Sequence, residues 1–129
     1  MTRKTLGIIG GGQLGMFICI AAKKINLNTI VFSENSEFSA KKFCDNYVIG
    51  SITNNEKISE FINSSDFFTI ETENISKKFL RLIQSKKKLF PSCEIIEITQ
   101  NRLKEKKFLN SLNDIKTAKY FEINNFKDL

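Results

Sequence analysis

Histidine is absent from all 129 residues. That gap excludes Ser-His-Asp and Cys-His nucleophilic schemes, imidazole general bases and imidazole-ligated metals. Any chemistry must rest on carboxylates, lysine, arginine or backbone amides. Cysteine is scarce. Cys19, Cys44 and Cys93 are scattered, odd in number and without metal-ligand spacing, so inert thiols are expected rather than a disulfide framework or a zinc site. No stretch has the apolar length needed to span a bilayer. Met1-Thr2-Arg3-Lys4 runs into a short apolar segment containing glycines, unlike the core of a signal peptide. A cytoplasmic protein without a membrane partner is expected. Internal repeats, low-complexity tracts and linkers are also missing.

What is present suits one folded domain. Hydrophobic residues make up 41% of the chain, enough for a core at this length. The formal charge of +6 would suit an anionic ligand. The lysines are spread along the chain, however, and Lys86-Lys87-Lys88 sits at an expected helix end, where cations complement the dipole. Nucleic acid is therefore not an expected partner.

Leu6 to Ile9 reads as a strand, and glycines then lead into Leu14, Ile18, Ala21, Ala22 and Ile25, one face of a helix. Thr29 to Phe32 and Tyr47 to Ile49 predict second and third strands. Thr53 with Glu56 predicts a capping box opening a helix whose face is Ile58, Phe61 and Ile62. Phe67 to Ile70 predicts a fourth strand, and Ile75, Phe79, Leu82 and Ile83 the face of the helix after it. Leu89-Phe90 predicts a short fifth strand stopped by Pro91. Ser92 would cap a short helix through Ile98, and Leu103, Phe108, Leu109 and Leu112 predict another from about Gln100. Thr117 to Ile123 is read as a final strand. Strands separated by helix-length segments require crossovers, so the expected fold is α/β, a Rossmann-like parallel sheet with helices on both faces.

Three constellations can carry chemistry. Gly10-Gly11-Gly12-Gln13-Leu14-Gly15 satisfies G-x-G-x-x-G between a strand and a helix. In that motif Gly10 permits the turn, Gly12 lets a ligand approach the backbone, Gly15 allows close helix packing, and the helix N-terminus offers amides to phosphate. Alone, it would also suit a dinucleotide-binding module, with Glu34 about where ribose hydroxyls are accepted unless it is simply an exposed loop carboxylate, or a turn that only packs. Glu71-Thr72-Glu73-Asn74 follows the fourth strand. In a doubly wound sheet strands one and four are neighbours, so Glu71 and the glycine turn would open onto one crevice. Period-two alternation puts Glu71 and Glu73 on one side if the strand continues. A solvated helix entry capped by Asn74 or Ser76 is the alternative. Gln100-Asn101-Arg102 with Lys104, Lys106 and Lys107 makes a basic helix start that composition alone reads as a solvated face.

Taken in order, Gly10 to Gly15, Glu71-Thr72-Glu73-Asn74-Ile75, Pro91-Ser92, and Gln100-Asn101-Arg102 through Lys106-x-Phe108-Leu109 resemble the 5-(carboxyamino)imidazole ribonucleotide synthetases, ATP-grasp ligases of purine biosynthesis. The resemblance implies a pre-ATP-grasp domain over residues 1–98 and a helical connection into the ATP-grasp region over 99–129. The core would begin just past Leu129, so this chain alone is expected not to turn over. It implies a reaction of ATP, bicarbonate and aminoimidazole ribonucleotide with Mg2+, passing through carboxyphosphate, in an enzyme that is often a homodimer. The metal ligands and most catalytic residues would belong to the core, leaving neither in this chain. By resemblance Gly11, Gly12, Gln13 and Leu14 line the ribonucleotide site with Glu71, Glu73 is a weaker member, and Arg102 contacts ATP, where a permanent guanidinium charge suits a phosphate. The formate-dependent glycinamide ribonucleotide transformylases share the domain order, but Gln13 and Asn74 favour the synthetase. Met16-Phe17 stands where the family usually has arginine after the final glycine, and Thr72 where an aromatic is common.

Overall fold

The computed structural model describes residues 2–123 and 125. It divides into two compact units, Met1–Cys93 and Glu94–Leu129.

The first unit holds a five-stranded parallel sheet. Its strands are β1 (Thr5–Ile9), β2 (Asn28–Ser33), β3 (Asn46–Ile49), β4 (Phe67–Ile70) and β5 (Leu89–Phe90), in the order β3-β2-β1-β4-β5. β1 and β2 are buried over nearly their whole length, the pattern of parallel strands covered on both faces. Alternation then sorts their side chains. Leu6, Ile8 and Val31 form one cluster with Cys19, Ala22 and Ala40. On the other face Phe32 packs against Phe61 and Phe79, with ring centroids 5.3 and 5.5 Å apart, and Phe61 against Phe68 at 5.1 Å. The first cluster is covered by α1 (Gln13–Lys24) and a 3-10 turn at Ser39–Lys42; the aromatic one is covered by α2 (Asn55–Asn63) and α3 (Lys77–Lys86).

The helix ends are set locally. α1 stops where Asn26 turns left-handed at φ 62° and Leu27 N–H returns to the Ala22 carbonyl, an asparagine version of the usual glycine stop. α2 is capped by Asn54, whose side chain accepts from the N–H groups of Glu56 and Lys57. The expected capping box from Thr53 does not form, because that hydroxyl bonds to Ser51 instead. On α3 the buried stripe is Phe79, Leu80 and Ile83, while Leu82 is rotated outward and Ile75 precedes the helix. Asn26, Asn54 and Leu80 therefore replace or extend the expected signals without moving an element.

In the chain from α4 (Cys93–Thr99) onward, α5 (Arg102–Ser111) starts at an Asn101 cap that accepts from Lys104 N–H, close to the expected start. Phe108 and Leu112 are exposed, and Leu103 and Leu109 half-buried. Thr117 to Ile123 is not a strand. Its composition is β-like, but a strand exists only through a neighbour's ladder, and here Phe121 is 89% exposed.

Candidate functional site

The site is built where β1 and β4 end. Their register sets Ile9 opposite Ile70, so the next residues, Gly10 and Glu71, come side by side, and Glu71 N–H donates to the Ile9 carbonyl at 2.9 Å. The chain at Gly10 turns with φ 103°, a conformation that side chains resist, and its N–H is used by the Phe32 carbonyl at 3.1 Å.

Glu71 reaches over this turn. Gly12 N–H donates to its Oε2 at 3.3 Å, and a Cβ on either Gly10 or Gly12 would strike the carboxylate. A Cβ on Gly15 would meet the Gly10 carbonyl oxygen at 2.8 Å, consistent with close packing of α1 on the turn. The Gly11 carbonyl accepts from Ala40 N–H at 3.0 Å, and the Phe38 ring closes the side of the turn at Gly11. Phe38 is a wall that the sequence did not reveal. It lies in a segment of bends and a four-residue 3-10 turn, too short for any periodicity.

Of the expected residues, the structure brings together Gly11, Gly12 and Glu71, with Gln13 and Leu14 exposed on the first turn of α1. Leu14 is 60% exposed, unusual for a leucine in so apolar a helix. Gln13, Leu14 and Gly15 have no intrahelical acceptors for their N–H groups, as at any helix start. Met16 packs against the α1-side cluster, so position 16 points into the core rather than offering a side chain to the turn.

Glu73 does not share the placement of Glu71. β4 ends at Ile70, and the backbone then bends, with Asn74 N–H on the Thr72 hydroxyl at 3.2 Å and Ile75 N–H on the Glu73 carbonyl at 2.9 Å. The turn breaks the alternation that would have aligned the two carboxylates, leaving Glu71 half-buried and Glu73 exposed. Ser76 occupies the N-cap position of α3, without a side-chain cap bond. Glu34 is exposed after β2, and its carboxylate accepts from Ile52 N–H at 3.3 Å, so the proposed ribose acceptor is engaged with the chain itself. Arg102, exposed at the first position of α5, belongs to the second unit.

Among the described residues Glu71 has no ion pair, so one oxygen and the remaining lone pairs are open to hydrogen-bond donors of a ligand. No group of three carboxylates or cysteines among them is arranged to hold a metal ion. No helix among them is long and apolar enough to cross a membrane.

Comparison with known proteins points in one direction. The family model of the ribonucleotide synthetase pre-ATP-grasp domain matches residues 3–100. The N5-carboxyaminoimidazole ribonucleotide synthase of Staphylococcus haemolyticus is 31% identical over 97% of this chain and 33% of its own length. The structure of the N5-carboxyaminoimidazole ribonucleotide synthetase from Thermotoga maritima superposes with a TM-score of 0.82 at 29% identity, over 97% of this chain and 35% of that one. An Aspergillus clavatus N5-carboxyaminoimidazole synthase, solved with ADP and 5-aminoimidazole ribonucleotide, gives 0.69 at 28% identity, over 84% of this chain and 29% of that one. The chain spans between 12% and 33% of the length of the curated relatives it matches.

Proposed function

The chain belongs to the ribonucleotide synthetase pre-ATP-grasp domain family, and on that premise we propose that it serves an ATP-dependent carbon–nitrogen ligase that carboxylates 5-aminoimidazole ribonucleotide with bicarbonate in purine biosynthesis. The observation that carries this reading is the Glu71 carboxylate held over the glycine turn with its remaining acceptor positions open.

In this proposal Gly11, Gly12, Gln13, Leu14 and Glu71 form one wall of the ribonucleotide pocket. Glu73, exposed on the bend beyond, is a peripheral member. Arg102 offers a permanent cation to an ATP phosphate. Residues 1–98 act as the pre-ATP-grasp domain and 99–129 as the connection to the catalytic region. Magnesium accompanies ATP, with its ligands outside the described residues, and the enzyme works in the cytoplasm as a homodimer. The similar structure containing ADP and the ribonucleotide supports both ligands.

Calorimetric titration of aminoimidazole ribonucleotide into the ligase carrying this domain tests the reading. Binding is expected, and Glu71→Ala should weaken it by about 1.5–3 kcal/mol, the worth of a charge-assisted hydrogen bond. Absence of binding, or an affinity indifferent to Glu71, would count against it.

A further inference from the structure

Two adjoining cavities of about 390 and 260 Å³, both lined by Asn55, Ile58 and Leu82, form a groove between α2 and α3. Its floor is apolar: Ile58, Ile62 and Phe79 line it while lying almost wholly inside the core. On α3, Lys78, Leu82 and Lys86 recur at every fourth residue and so share one face. They set a cation on either side of a leucine that is 38% exposed, the two cations being about 12 Å apart along the helix axis. On α2, Asn55, Ser59 and Asn63 recur at the same interval as the facing rim, exposed and uncharged. Among the described residues neither Lys78 nor Lys86 has an ion pair. No carboxylate lines the groove, and Glu60 of α2 is held by Lys57 at 2.8 Å. The groove therefore has an apolar floor, one neutral rim and one rim with a free cation at each end.

We propose that this groove docks an amphipathic helix of a partner protein, apolar along its inner face and carrying two carboxylates about two turns apart. A helix laid along α3 meets Leu82 with its apolar stripe and the two lysines with its acids. A second copy of this chain does not supply that pattern. Among the described residues α1 and α3 carry no carboxylate, those of α2 and α4 are only four and three positions apart at Glu56 and Glu60 and at Glu94 and Glu97, and α5 has Glu105 alone. Nucleic acid is a poorer fit, because two cations over an apolar floor neutralise too few phosphates to hold a strand.

Fluorescence anisotropy with a labelled, stapled alanine-based helix of about 16 residues tests the docking. The probe carries leucines along one face and two glutamates eight positions apart beside them. It should bind the native chain and the ligase that contains it. The double variant Lys78→Glu, Lys86→Glu should bind it at least about tenfold more weakly, two surface ion pairs having become repulsions. The same variant should recover affinity for a probe with lysines in place of the glutamates. All four positions concerned are at the surface, and urea midpoints matching the native chain confirm that the variants fold. Leu82→Ser should weaken both pairings. No binding, binding indifferent to the lysine reversals, or equal binding by a probe whose leucines are replaced by serine overturns the inference. So does binding to the chain but not to the ligase, which would mean that the rest of the enzyme fills the groove.

Discussion

One carboxylate oxygen of Asp45 accepts both the N–H of Thr29, at 2.8 Å, and its hydroxyl, at 2.9 Å. Asp45 N–H in turn reaches the Thr29 hydroxyl and carbonyl, each at 3.2 Å. Thr29 is 1% exposed, near the start of β2, and Asp45 immediately precedes β3, so this bridge fixes the pairing of two strands from one end. Because one carboxylate oxygen serves two donors of a buried threonine, Asp45→Ala should destabilise the chain by about 1.5–3 kcal/mol in urea unfolding. The nearby Lys23 ion pair, at 4.0 Å and largely exposed, is a different case: Lys23→Ala should cost less than about 1 kcal/mol. Equal costs for the two variants would contradict this division.

Alanine at the two glycines of the turn should separate conformation from placement. Gly10→Ala forces a side chain into φ 103° and against Glu71, and should lower stability by about 1–3 kcal/mol. The three atoms nearest a Cβ on Gly12 all belong to the Glu71 carboxyl, the far end of a flexible side chain, so the cost of Gly12→Ala should stay below about 1 kcal/mol. Its effect should fall on ribonucleotide affinity instead, matching that of Glu71→Ala without adding to it in the double variant. Additive losses of affinity would mean that the two residues act separately.

The pairing of Gly10 with Glu71 was legible in the sequence because topology determines it: alternating strands and helices imply a reversal of strand order beside β1, and the ends of β1 and β4 must then meet. The five strand positions were legible for a similar reason, since Leu6–Ile9 and Phe67–Ile70 are apolar runs bounded by turns. Local choices were not. Thr53 and Asn54 are adjacent good caps, and which one turns toward the helix depends on Ser51. Phe38 owes its place over Gly11 to the 3-10 turn, and Ala40 N–H on the Gly11 carbonyl fastens that turn to the site. Neither leaves a periodic trace. Thr117 to Ile123 misled for the opposite reason, since it carries the composition of a strand with no ladder to join.

The cap on α2 gives a direct measure of that local ambiguity. Asn54→Ala removes the acceptor of two backbone N–H groups, each 3.1 Å from Oδ1, and should cost about 1 kcal/mol in chemical denaturation. Thr53→Ala removes only a hydroxyl contact with Ser51 at the surface and should cost less than half as much. A larger loss from Thr53 would restore the capping box read from the sequence.

Cys19 makes the stability of the chain depend on alkaline pH. Its side chain is fully buried in the α1-side cluster, and burial pushes the thiol up from 9.0 to about 11, against a smaller opposing effect from the Thr29 hydroxyl. The folded state therefore holds this proton more tightly than the unfolded one. Its contribution is complete below pH 9.0 and disappears as pH rises through about 11. A rise from 9.0 to about 11 corresponds to about 2–3 kcal/mol. Lysines and tyrosines titrate in the same range, so the informative quantity is the difference between the native chain and Cys19→Ala. That difference in unfolding free energy should shrink by about 2 kcal/mol between pH 8 and pH 11. Cys44, half-buried and also raised by burial, is the thiol that a disulfide reagent should reach before Cys19 at moderate pH. A pH-independent difference, or prior labelling of Cys19, would show that the cluster around α1 opens more readily than its packing implies.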